Sequence, residues 1–121
     1  MTLDDDPLSR GVALFNAGRF FDAHEAWEEL WLPATGGEKQ FLQGLIQLAA
    51  AYHHVQRGTS PRGAARLFAS ALRRLEAFPP CHLGVDREDA VMAAQKHRER
   101  VVRGEKIDAN EYPKLGPRAR P

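Results

Sequence analysis

A single cysteine, Cys81, stands in 121 residues. An internal disulfide framework is excluded, and the fold has to be held by a packed core. No apolar run approaches the roughly 20 residues of a membrane span, so no membrane partner is expected. Charge of one sign is also missing: 17 Lys and Arg face 16 Asp and Glu, for a net charge of +1. That balance gives no global field toward nucleic acid, and a nucleic-acid partner is not expected. The opening residues MTLDDDPLSR are acidic and polar, unlike a secretion signal, which makes cytoplasmic the expected location. No stretch sustains an apolar–polar alternation of period two, so no strand is expected. Glycine-rich phosphate loops, dinucleotide fingerprints and G-x-S-x-G elbows are missing as well.

What is present is helical periodicity with clear punctuation. Asp6 before Pro7 is a cap followed by a preset φ and opens a first helix, which Gly18 closes. A second helix is expected from Phe20 to about Trp31, and so short a turn makes the two an antiparallel hairpin. Leu32 to Gly37 reads as a loop. A third helix is expected from about Glu38 to Arg57, stopped by Gly58. Ser60 and Pro61 start a fourth, which Pro79 and Pro80 end. Asp86 is placed to cap a fifth, running to about Arg103 with a thin stripe of Val91, Ala94 and Val101. The expected fold is an all-α, single-domain bundle of about five helices over residues 1–121. Residues 105–121 are expected to form a partly ordered C-terminal tail that Ile107, Tyr112 and Leu115 dock.

At 100° per residue, Phe20, Ala23, Trp27, Leu30 and Trp31 form the apolar face of the second helix. His24 falls inside the edge of that face, Glu28 lies one turn on along the same shoulder, and Glu25 is farther round near Phe21. Asp22, Ala26 and Glu29 point away. In the third helix, Phe41, Leu45, Leu48 and Tyr52 centre the face. His53 falls on its shoulder, and His54 on the opposite side with Gln43 and Gln47. A half-buried histidine needs partners for both ring nitrogens, and a half-buried glutamate needs a donor or a cation. His24, Glu25, Glu28 and His53 are thus the candidate site cluster. Its first reading is a His/Glu network tying helices together in a non-enzymatic interaction or structural module, with a protein partner or homo-oligomer allowed.

The alternative reading is chemical. His24-Glu25-x-x-Glu28 resembles H-E-x-x-H, but Glu28 stands where the second zinc-binding histidine belongs. His24, Glu28 and His53 could instead ligate a divalent metal, with Glu25 as fourth ligand or base, in a metal-binding protein or a hydrolase-like enzyme. Other features read as scaffold. Gly44 inside the third helix costs about 1 kcal/mol against alanine and implies close approach of another helix backbone. Arg62, Arg66, Arg73 and Arg74 read as a solvated face, and Cys81 beside His82 as a loop thiol.

FNAGRFFDAHEAWEELW followed by QGLIQLAAAYHHVQRG resembles the domain-of-unknown-function family 309. The resemblance covers roughly Leu8 to Leu75 and rests on Asn16, Gly18, Phe20, His24, Glu25, Glu28, Trp31, Gln43, Gly44 and His53. It implies an all-helical bundle. It implies no reaction, because the family is named for having none assigned.

Overall fold

The computed structural model describes residues 6–117. Five helices pack in series: α1 (Pro7–Asn16), α2 (Phe20–Trp31), α3 (Gly36–Arg57), α4 (Pro61–Leu75) and α5 (Glu88–Val102), each on the one before it. The chain signals that punctuate them act as their chemistry requires. Asp6 accepts the Ser9 N–H at 3.4 Å with Pro7 at the first helical position. Ser60 Oγ accepts the Gly63 N–H at 3.0 Å ahead of α4. Gly18 closes α1 at φ +78° and Gly58 closes α3 at φ +65°, conformations that a Cβ disfavours.

The core lies along α3, which is buried between α2 and α4. Phe15, Phe20, Trp27, Phe41, Tyr52 and Phe68 are fully buried or nearly so. Tyr52 is the hub, with ring contacts to Phe15, Phe20, Phe68, Tyr112 and His97 at 4.9–6.1 Å between centroids. Trp27 is wholly inside, and its indole N–H donates to the Leu8 carbonyl at 3.2 Å. Gly44 meets the side chains of Leu75 and Arg74 of α4, at 2.9 and 3.2 Å from where its Cβ would stand, a close approach of that helix.

Three departures from the sequence expectations have local causes. Ala26 is 4 % exposed, not turned outward, because α2 packs on both α1 and α3 and so buries two flanks. Asp86 does receive the Glu88 N–H at 3.0 Å, yet α5 starts at Glu88 with Arg87 in the cap position. Three short strands occur where none was expected: β1 (Cys81–His82), β2 (Val85–Asp86) and β3 (Gly116–Pro117), paired antiparallel in that order. Two residues per strand are too few to show an alternation. Leu83 and Gly84, both at positive φ, make the two-residue hairpin turn. Inside this unit the His82 ring lies between Phe41 and Phe78, at 4.7 and 4.8 Å, and Cys81 is half-buried.

After α5 the chain returns across the bundle through a 3₁₀ turn (Ala109–Glu111). Ile107 and Leu115 are buried there and Tyr112 is half-buried. Asn16 clasps Leu115 with both ends of its amide: Nδ2 donates to the Leu115 carbonyl at 2.8 Å, and the Leu115 N–H donates to Oδ1 at 2.7 Å.

Candidate functional site

α2 and α3 run antiparallel, since the Phe21 ring meets His53 at 5.5 Å at one end and the Lys39 ammonium lies 4.2 Å over the Trp31 ring at the other. The outer shoulder of α2 therefore looks along the α2–α3 seam. On it, His24 Nε2 stands 3.6 Å from Glu28 Oε2, one turn on, and His24 Nδ1 stands 4.0 Å from Glu25 Oε2. Both separations exceed a hydrogen bond. One ligand atom from each of His24, Glu25 and Glu28 lies within 4.8 Å of the others. The His24 side chain is 25 % exposed, whereas Glu25 and Glu28 are half open to solvent at 58 % and 46 %. His24 Nδ1 is shielded from solvent and has no hydrogen-bond partner; Trp31 Nε1, two turns along, is in the same condition.

His53 stands beside this cluster, and among the described residues no hydrogen bond or ion pair joins it to Glu25 or Glu28. Phe21, half exposed, spans the gap: its ring stacks on His24 at 5.8 Å and tilts against His53 at 5.5 Å. Desolvation holds the His53 imidazole below the usual histidine range, with Arg57, His54 and His24 adding repulsion. His54 turns elsewhere, its Nδ1 3.0 Å from Thr59 Oγ1, and Glu29 pairs with Arg10 at 2.8 Å.

A second polar pair escaped the reading of the sequence. His97 of α5 is 6 % exposed, and its Nδ1 lies 2.7 Å from the Tyr52 hydroxyl. The spacing Ala90, Ala94, His97, Val101 puts it on the buried stripe of α5, so a wheel drawn for that helix would have found it. Burial pushes the Tyr52 phenol far up. Burial first, then the Arg100 charge, lowers His97, against an opposing effect of Glu111. A histidine whose folded-state affinity for protons is below its unfolded one favours the unfolded chain as pH falls. Stability from this pair is complete above about pH 6.5 and declines below it. The melting temperature should therefore drop between pH 7.5 and 5. Glu105 and Glu111 do not contribute there, since arginine pairing holds both below the usual carboxylate range. His97→Leu should be less stable at pH 7 and show a flatter profile; an unchanged slope would exclude His97 as its source.

The model of the family described as Domain of unknown function (DUF309) matches residues 8–67, a stretch that holds His24, Glu25, Glu28 and His53. No curated protein matches the chain. A crystal structure of a conserved hypothetical protein from Thermus thermophilus superposes with a TM-score of 0.65 at 37% identity, covering 74% of this chain and 93% of that one. Among the described residues no helix is long and apolar enough to cross a membrane. By the matched motif-bearing helices and this structural likeness, the chain belongs to the DUF309 family.

Proposed function

We propose that the protein binds one divalent metal ion on the shoulder of α2 through His24, Glu25 and Glu28, with the bundle as its rigid support. The observation that carries this reading is the convergence of one ligand atom each from His24, Glu25 and Glu28 within 4.8 Å of one another, with the solvent-shielded Nδ1 of His24 left without a hydrogen-bond partner. A network serving only to join helices would have closed on that nitrogen. Ligand atoms about 2.1 Å from a common ion stand roughly 3.4 Å apart in a tetrahedral shell and about 4.2 Å apart when opposed. The ligand atoms of His24, Glu25 and Glu28, one from each and all within 4.8 Å of one another, reach that spacing with small side-chain shifts. One imidazole nitrogen with two carboxylates suits zinc, manganese or iron. The half-exposed carboxylates can adjust to the ion, and solvent can reach it. Desolvation shifts the His53 imidazole toward its neutral form, the state a ligand needs, and His53 is proposed as a further donor once its ring turns past Phe21.

Calorimetric titration of zinc into chelator-treated protein should give one ion per chain. A metal at 100 times its Kd should raise stability by about 2.7 kcal/mol. His24→Ala and Glu28→Gln should weaken binding at least tenfold, whereas His54→Ala and Glu29→Gln should leave it unchanged. Binding that ignores His24 and Glu28 would sink the proposal. The reading as an interaction module would then stand, favoured by exposed Phe21 and Leu32 on the same side of α2.

A further inference from the structure

One end of the bundle holds a cavity of about 440 Å³, open to solvent, where the C-terminal ends of α3 and α5 meet the first turn of α4. Its size falls within the range of small-molecule sites. Val55, Ala64, Val101, Ile107 and Tyr112 give it an apolar floor, and four charged side chains stand at its rim: Arg57, Glu105, Lys106 and Asp108. The rim is balanced in formal charge, yet its two acids are already engaged. Glu105 pairs with Arg103 at 2.7 Å and with Arg100 at 3.3 Å. The Asp108 side chain accepts a backbone N–H of the 3₁₀ turn in a capping box. Among the described residues no ion pair or hydrogen bond engages the side chain of Arg57 or of Lys106. The first turn of α4 also lines the cavity, but the C-terminal ends of α3 and α5 offset its dipole, so the positive sign is carried by the Arg57 and Lys106 side chains.

We infer that this cavity binds a small organic anion with an apolar body, an aryl or alkyl carboxylate, whose body rests on Ile107, Val101 and Tyr112 while its carboxylate is held by Arg57 and Lys106. The site is separate from the His24 cluster and does not depend on a metal. Its apolar floor is formed by α3, α4, α5 and the returning chain together, so it exists only in the folded protein. The rim cations select charge and the floor selects shape.

The probe is 4-phenylbutyrate, titrated into isotopically labelled protein with chelator present and followed by NMR, with 4-phenylbutyramide as its uncharged counterpart. Saturable shifts are expected at Ala64, Val101 and Ile107, with the amide binding at least fivefold more weakly than the acid. Arg57→Glu combined with Lys106→Glu should remove that preference; both residues are exposed, so the fold is not at risk. Equal binding of acid and amide, no saturation at millimolar ligand, or shifts centred on Phe21 and Leu32 would each overturn the inference.

Discussion

Gly11→Val should destabilise the protein by about 3 kcal/mol or more, although helix propensity alone favours the change by a few tenths. Gly11 is a buried position of α1 against which the indole of Trp27 lies flat. A Cβ there would stand 2.5 Å from Trp27 Cδ1 and 2.6 Å from Cε2, and closer still to Nε1. These atoms belong to a rigid ring with no exposed surface, so the indole must shift as a whole or α1 must lift away. Either movement also strains the indole's hydrogen bond to Leu8, a further cost on the order of 1 kcal/mol. Alanine should suffer the same clash with less to place. Urea unfolding reads the result, and a Gly11→Val protein within 1 kcal/mol of the parent would mean that the α1–α2 contact yields far more easily than a packed interior does.

Trp27→Ala should cost about 3–5 kcal/mol. The indole touches the Phe15 ring at 6.1 Å between centroids and fills the space that Gly11 leaves, so truncation opens a cavity that nothing adjacent can flow into. The Leu8 carbonyl also loses its donor. The two substitutions should couple: in a Trp27→Ala background the valine at 11 has room, and the double variant should be more stable than the sum of the single losses implies. A loss below about 2 kcal/mol for Trp27→Ala would show that the α1–α2 contact is held by something other than this indole.

Much of this architecture is legible in the chain because it is written locally. Asp6-Pro7, Ser60-Pro61, Gly18 and Gly58 mark helix ends through backbone chemistry that needs no neighbour. The turn at Gly18 was legible because no side chain adopts its φ easily. The apolar face of α2 with Trp27 at its centre followed from periodicity. What stayed hidden depends on tertiary partners. Nothing about Gly11 in the sequence reveals that an indole from the next helix will lie on it. Ala26 looked outward because a helical wheel knows one partner, and α2 has two. Tyr52 was placed in the core, but its hydroxyl required a polar group that arrives 45 residues later as His97.

For the candidate site, the wheel grouped His24, Glu25 and Glu28 because they share one helix and one shoulder, where spacing fixes geometry. His53 was grouped with them through an inferred packing of helices, and the half-exposed ring of Phe21 stands in that gap. An apolar side chain at a helix boundary gives no sequence signal of where its ring will fall.

The Asn16–Leu115 clasp bears on the order in which this chain folds. Its partners are 99 residues apart. Closing so long a loop in an unfolded chain costs about 4 kcal/mol of entropy beyond a constant term, more than two amide hydrogen bonds return. The clasp therefore cannot nucleate anything. It forms after α1 to α5 have docked and have brought the two segments within reach, when the remaining search is short. Such a contact is absent from the folding transition state and present in the native state, so its strength is felt as a slower rate of unfolding. The segment around Leu115 is a latch on a bundle already built, and it sets the protein's lifetime in the folded state more than its speed of reaching it.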